Sequence, residues 1–120
     1  MLTLVEHWDG VKWSVLPSPN ASATGNVLSG VSANSGTDIW AVGDSVDAPT
    51  TSIQTLVEHF DGTTWKVVPS PNVLKKSFLN QNVLLSVSAV STTDVTAAGW
   101  VGNPGTQTTT TLIQHWNGTK

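Results

Sequence analysis

Three histidines recur along the chain, and imidazole is a common metal ligand, so a metal site is the first chemistry to consider. They are His7, His59 and His115, which lie 52 and 56 residues apart. These intervals match an internal sequence repeat described below, so each histidine lies in a different repeat and the three side chains are separated by the distance between repeats. We therefore predict that each bonds to backbone or to a neighbouring turn, with no metal and no cofactor.

Paired carboxylates could hydrolyse glycosides, and the chain has eight acidic residues. Six of them occupy equivalent positions in two repeats: Glu6 and Glu58, Asp9 and Asp61, Asp38 and Asp94. A side chain that recurs at the same position of each repeat is expected to stabilise the structure of the repeat. We therefore predict that these four aspartates form hairpin turns. Cysteine is absent, which excludes thiol catalysis, disulfides and thiolate zinc sites. Arginine and tyrosine are absent as well. A non-enzymatic chain is the prediction.

Six tryptophans in 120 residues are the feature that favours binding, because indoles form sugar-stacking platforms and interface hot spots. Five of them occupy repeat positions and are predicted to form a core between units: Trp8, Trp13, Trp40, Trp65 and Trp116. The sixth, Trp100, begins a segment without a repeated sequence. A loop segment on a rigid scaffold is where recognition residues concentrate.

Two segments of equal length and unrelated sequence, residues 44–54 and 100–110, are predicted to be connectors that carry specificity, as is the loop at residues 73–82. Trp100 and Asn103 of one connector and Asp44 and Asp47 of the other are the candidate ligand-binding residues. Packing of Trp100 into its own unit is the alternative. The two aspartates could contribute to a calcium site, although two oxygens alone are too few.

The chain is weakly charged, with a formal net charge of −3 and only five basic residues, all lysines. They form no basic stripe beyond the pair Lys75 and Lys76, so nucleic acid is excluded as a partner. No window approaches the apolar length of a spanning helix, so no membrane insertion is expected, and no signal peptide is recognisable.

The elements that position these residues are set by an internal repeat. Residues 3–20 return as residues 55–72, and their opening returns as residues 111–120. Residues 27–43 return without a gap as residues 83–99. We divide the single domain, residues 1–120, into repeats 3–54 and 55–110 and a partial repeat 111–120.

Each repeat predicts four short strands and no helix. Alternation and β-branched residues from Thr3 to Trp8 indicate a strand, and Asp9-Gly10 closes a hairpin with a four-residue loop. Prolines at 17 and 19 cannot donate to a ladder, so the second strand should be an edge. A second hairpin is expected at residues 30–33 and 38–42. The predicted fold class is all-β.

The repeated patterns W-D-G-x-x-W and D-[IV]-W-A-V-G resemble the blades of bacterial β-propeller proteins of kelch and galactose-oxidase-like type. The resemblance implies four-stranded antiparallel blades, about two in this chain, and suggests an extracellular or cell-surface setting. A propeller closes with about four to eight blades. We therefore expect either a piece of a larger propeller or identical chains that complete it by homo-oligomerisation through open blade edges.

A non-catalytic binding or scaffolding module is the predicted function, with a carbohydrate or a protein surface as its ligand. The alternatives are part of a larger propeller enzyme, whose catalytic residues would lie in other blades, and a purely structural cell-surface repeat. The repeat motif encodes unit packing and does not identify the ligand.

Overall fold

The computed structural model describes residues 1–75 and 77–120 as strands, turns and loops, which confirms the all-β class. Lys76, one half of the lysine pair, lies outside the described residues. The described strands are β1 (Val5–Trp8), β2 (Trp13–Leu16), β3 (Asn26–Ser35), β4 (Asp38–Asp47), β5 (Ser52–Phe60), β6 (Trp65–Val67), β7 (Gln81–Ser91), β8 (Asp94–Asn103) and β9 (Thr108–Trp116).

The first two strands form a separate antiparallel hairpin. Trp8 pairs with Trp13 across a four-residue loop, as the turn sequence predicts. Gly10 in this loop has φ +98°, a left-handed conformation that glycine adopts without steric cost. Strand β2 has no partner besides β1 among the described residues, which agrees with the edge position expected from Pro17 and Pro19.

The remaining strands form two antiparallel meanders that follow one another along the chain. The first sheet has the order β3-β4-β5-β6, and the second has the order β7-β8-β9. A single parallel bridge between Ile53 and Gln81 joins the two meanders, and no other strand pairing between them occurs in the described residues. In the described residues the strands form an open order that does not close into a ring.

The two sheets repeat one another in detail. The pairing of β3 with β4 shifts register between Leu28 and Gly30, and that of β7 with β8 shifts at the equivalent residues, Leu84 and Ser86. A second pair of shifts lies at the far end of each strand pair, at residues 33–35 and 89–91. The sequence repeat is therefore a repeat of strand register as well.

The glycine that ends each A-V-G or A-A-G motif is required by close backbone packing beside the first bulge. A Cβ on Gly43 would lie 2.0 Å from the carbonyl oxygen of Val27, and one on Gly99 would lie 1.9 Å from that of Val83. No side chain fits at these distances, which explains why glycine recurs there.

The core lies between the two sheets, which pack face to face. Trp40, Val42 and Val57 of the first sheet contact a layer from the second that includes Val95 and Leu112. Alternate residues of a strand point to opposite faces, so these residues define one inner face of each sheet. The close approach extends to the bulge in β3, where a Cβ on Gly30 would lie 3.0 Å from backbone atoms of β7.

The strands around both connectors are longer than predicted. Strand β4 continues to Asp47 and β5 begins at Ser52, so only residues 48–51 form a turn. Likewise, β8 and β9 leave only residues 104–107 between them. Threonine, valine and isoleucine supply the β propensity there without a regular apolar alternation, which is why the sequence pattern indicated a loop.

Candidate functional site

Asp9 and Asp61 lie in the two loops that close hairpins β1–β2 and β5–β6. Asp9 Oδ1 accepts hydrogen bonds from the backbone N–H groups of Val11 and Lys12, at 2.8 and 2.9 Å. Asp61 Oδ1 accepts the equivalent pair, from Thr63 and Thr64. The backbone donors hold the pKa of Asp9 below its usual value. For Asp61 the hydrogen bond from Lys66 is the largest cause of a lowered pKa, and the two backbone donors add to it.

Asp38 stands directly after the turn between β3 and β4, opposite Ser35, and its carboxylate also joins a side-chain network that the sequence did not indicate. It is 5% exposed at the start of β4. Its Oδ1 accepts from Trp40 Nε1 at 3.0 Å and lies 2.7 Å from His59 Nε2, while Oδ2 accepts from the Asn34 amide. Burial would raise the pKa of Asp38, but hydrogen bonds from His59, Asn34 and Trp40 outweigh burial and lower it.

The ring of Trp40 stacks on His59 with centroids 4.2 Å apart, so the three side chains form one unit within the first sheet. In the second sheet only the histidine–aspartate contact of this unit is present. His115 Nε2 lies 2.9 Å from Asp94 Oδ1, and both side chains are about half exposed. Asp94 stands opposite Ser91, directly after the turn between β7 and β8. Thr96 replaces the tryptophan there.

His59 and His115 each bond the aspartate that directly follows the neighbouring hairpin turn, Asp38 and Asp94. His7 lies on β1, exposed. No group of three or more histidine, aspartate or glutamate side chains in residues 1–75 and 77–120 could hold a metal ion. The histidine pairs instead link neighbouring strands of each sheet.

The repeat tryptophans do not share one environment. Trp40 and Trp65 are buried, at 3% and 8% exposure, and Trp116 is half-buried with its ring centroid 5.5 Å from that of Trp40. Trp8 and Trp13 are 48% and 64% exposed, so the prediction that they lie in a core is wrong for this chain. They sit on the isolated hairpin, where no inner strands of the same unit cover them.

The four predicted ligand-binding residues do not form one site. Asp44 and Asp47 lie three residues apart on β4 and therefore point to opposite faces, as do Trp100 and Asn103 on β8. Asn103 Oδ1 accepts from Gly105 N in the hairpin turn, and Asp47 accepts from Thr50 Oγ1.

Trp100 is half-buried on the outer face of the second sheet. Its ring edge occupies the space beside Gly102, where a Cβ would lie 2.8 Å from Trp100 Cζ3. Burial raises the pKa of Asp44, its repeat equivalent on the first sheet. Trp100 and Asp44 thus lie on different sheets, on β8 and β4.

An open, mostly apolar cleft of about 550 Å³ lies between the two sheets. On the first sheet it is lined by Trp40, Val57, Val68 and the residues 69–71 that follow β6. On the second sheet it is lined by β9, including residues 113–116. A hydrogen bond crosses the cleft, from Gln114 Nε2 to the carbonyl oxygen of Pro71 at 2.5 Å.

Sequence reasoning missed two buried asparagines that join successive units. Asn82 Nδ2 donates to the carbonyl oxygens of Ile53 and Leu74, and its Oδ1 accepts from Leu74 N. Asn26 makes the equivalent bonds to Met1 and Ser22. The signal was present, because Asn-Val-Leu precedes both copies of the inner hairpin.

Glu58 was assigned to the repeat but its burial was not foreseen. It is 0% exposed, and neither carboxylate oxygen has a hydrogen-bond partner among the described residues. Burial raises its pKa to about 7. Glu6 and Gln114, at the same repeat position, are exposed and half-buried.

Comparisons of the chain with protein-family models, curated protein sequences and solved structures found no match. In the described residues no helix is long and apolar enough to cross a membrane.

Proposed function

We propose that this chain is a non-catalytic interaction scaffold built of propeller-blade repeats, which binds further repeats of its own kind, from a second copy, through sheet faces left open. A four-stranded and a three-stranded meander that pack face to face, with the same bulges and the same buried asparagine joints, support the blade assignment.

One observation carries the proposal: the same positions are core in one sheet and surface in the next. Val57 and Val42 of the first sheet are 9% and 1% exposed against the second sheet. Their equivalents, Ile113 and Ala98, lie on the outer face of the second sheet, where Ile113 is 71% exposed. A face built to be covered by a neighbouring repeat is thus uncovered in the single chain.

The polar side chains favour a scaffold over an enzyme. The aspartates that repeat are engaged in hairpin turns or in pairs with histidine, and the Asp38 network is closed by Trp40. The two most buried indoles offer no exposed ring to a sugar, and the exposed rings of Trp8 and Trp13 are tilted by 51° to each other instead of forming a flat stacking surface. A protein surface of matching shape, above all another repeat, is therefore the ligand that fits best.

Light scattering on a sizing column, over a range of micromolar concentrations, tests the proposal. We expect a defined oligomer well above the single-chain mass of 12.6 kDa. Ile113→Lys would place a charge in the apolar contact and should weaken association by about tenfold or more.

Val11→Lys is the matched control, because Val11 is 83% exposed in the β1–β2 loop and lies outside the proposed contact. It should leave the oligomer unchanged. A single-chain mass for the unmodified protein at every concentration would contradict the proposal.

A further inference from the structure

We propose that the inter-sheet cleft is a strand-acceptor site, and that its occupant is strand β2 of a second copy, added to the free outer edge of β9. This inference rests on the proposed function and adds a contact at the edge of β9 to the one proposed for the outer face that carries Ile113. It assigns a role to the cleft and to the exposed N-terminal hairpin together.

The first sheet shows what the edge of β9 is built to hold. Strand β6 pairs with β5 through Glu58, His59 and Phe60. The equivalent residues of β9 are Gln114, His115 and Trp116, and no strand of the described residues pairs with their outer edge. These three residues line the cleft, so the cleft lies along an edge that is free to accept a strand.

The cleft also has space for the tryptophan that begins such a strand. Trp65 packs on Phe60 with centroids 5.5 Å apart, and Trp13 packs on Trp8 at 5.8 Å. A strand paired with β9 in the same register would place its tryptophan beside Trp116. Beside the first sheet, where Trp65 is present and lines the pocket, the concave space is only about 280 Å³ against about 550 Å³ in the cleft.

The serine and the asparagine that follow an outer strand bond a threonine of the neighbouring strand, and we call this set of hydrogen bonds the latch. The latch is present after β6 and after β2, but among the described residues β9 has only its threonine. Asn72 Oδ1 accepts from Thr55 N at 2.8 Å, and Ser70 Oγ lies 2.7 Å from Thr55 Oγ1. Asn20 and Ser18 make the same contacts with Thr3, at 2.9 and 2.8 Å.

Thr111 stands at the equivalent position of β9, exposed, and nothing in the described part of the chain supplies its serine and asparagine. The tail that follows β2 carries both, at Ser18 and Asn20. A docked β2 would therefore bring the latch for Thr111 with it.

The donor strand is held weakly in its own chain. Trp13 and Val15 of β2 are each 64% exposed, and a two-stranded hairpin with little cover is marginally stable in water. Strand β1 and the end of β9 have nearly the same sequence, Val-Glu-His-Trp against Ile-Gln-His-Trp. When β2 leaves β1 and pairs with β9 of a neighbour, it exchanges one strand partner for another of nearly the same sequence. The exchange also buries Trp13, and this added burial favours strand exchange between identical chains.

Disulfide trapping tests the inference in a chain that has no cysteine of its own. His7 pairs with Ser14 and His59 with Lys66, so a docked β2 would place Ser14 opposite His115. Directly opposed residues have Cα atoms about 4.5 to 5.5 Å apart, within reach of a disulfide. We expect a mixture of the Ser14→Cys and His115→Cys chains, with different tags, to give a mixed disulfide under mild oxidation.

Thr109→Cys replaces His115→Cys in the control, because it is an exposed residue on the same strand about 20 Å away. The mixed disulfide should form at least about tenfold faster with residue 115 than with residue 109. Equal rates would overturn the inference.

Thr111→Val gives a second readout, since it removes the latch hydroxyl and keeps the β-branched shape. Trapping of the Ser14→Cys chain by the His115→Cys chain should slow several-fold with Thr111→Val and not with Thr110→Val. No effect at residue 111 would also overturn the inference. An oligomer that persists without selective trapping leaves the proposed function standing and removes only this strand contact, whereas a single-chain mass removes both.

Discussion

At the scale of single residues, Glu58 differs most from its repeat equivalents. Its carboxylate is fully buried without a partner among the described residues, whereas the Gln114 amide at the same position donates to the carbonyl oxygen of Pro71. A protonated carboxyl resembles an amide in being neutral and able to donate. Burial, by raising the pKa of Glu58 to about 7, keeps this neutral form in the folded chain near neutral pH.

We predict that Glu58→Gln removes a loss of stability at high pH. The folded state holds the proton up to a pH of about 7, while the unfolded state releases it near 4.5. The free energy of unfolding therefore falls as pH rises from 4.5 through 7, by at most about 1.4 kcal/mol per pH unit from this group. Urea denaturation between pH 4.5 and 8 should show a flatter profile for Glu58→Gln than for the unmodified chain.

Glu6→Gln is the control for this prediction, because Glu6 occupies the same repeat position on the exposed β1 hairpin. Its pH profile should follow that of the unmodified chain. If Glu58→Gln and Glu6→Gln gave the same profile, burial of Glu58 would not be the cause of the pH dependence.

At the scale of elements, the joints between units depend on buried amides. Asn82 satisfies backbone groups at Ile53 and Leu74, which belong to the first sheet and to the linker that leaves it. The single bridge from Ile53 to Gln81 stands next to this amide. One side chain thus fixes where the second sheet begins relative to the first.

Asn82→Ala should lower the free energy of unfolding by about 2 to 4 kcal/mol, because it leaves buried backbone donors and acceptors unpaired. Asn80→Ala, two residues earlier, removes one exposed hydrogen bond to Lys75 and should cost less than about 1 kcal/mol. Chemical denaturation of the two variants measures the difference. Equal losses would show that Asn82 has no special part in the joint.

The sequence predicts elements well where the pattern itself is local. Asp9-Gly10 gives the hairpin loop, and Pro17 gives the edge position of β2. The Asp38 network joins residues 21 positions apart on neighbouring strands, so its spacing leaves no local sign. Residues 108–111 are all threonine, whose polar side chains suggested a loop although threonine favours strands.

The candidate site was less predictable than the strands, for a physical reason. Trp13 and Trp65 occupy the same place in the repeat, but one is exposed and the other buried. Burial depends on which neighbouring unit covers the residue, and repeat equivalence contains no such information. The cleft arises in the same way, from the free edge of β9 and not from any single motif.

At the scale of the whole molecule, the units should differ in local stability according to how they are covered. The two sheets bury a common core, while the β1–β2 hairpin exposes Trp8, Trp13 and Val15. Its described links to the first sheet include the bonds from Asn26 to the carbonyl oxygen of Met1. We therefore expect the hairpin to open independently while the sheets stay folded.

Hydrogen exchange can compare two nearly equal strands inside one molecule. Strands β2 and β6 share the pattern Trp-x-Val and the same place in a hairpin, but Trp65 is 8% exposed and Trp13 is 64% exposed. At concentrations where light scattering shows the single chain, amides of β6 should be protected at least about tenfold more than those of β2, a difference of about 1.4 kcal/mol in opening free energy. Because the two strands match in sequence pattern and pairing, the difference in amide protection reports the effect of burial by a neighbouring unit. Equal protection would mean that the hairpin is stable by itself, which would remove the weak hold on β2 that strand exchange requires.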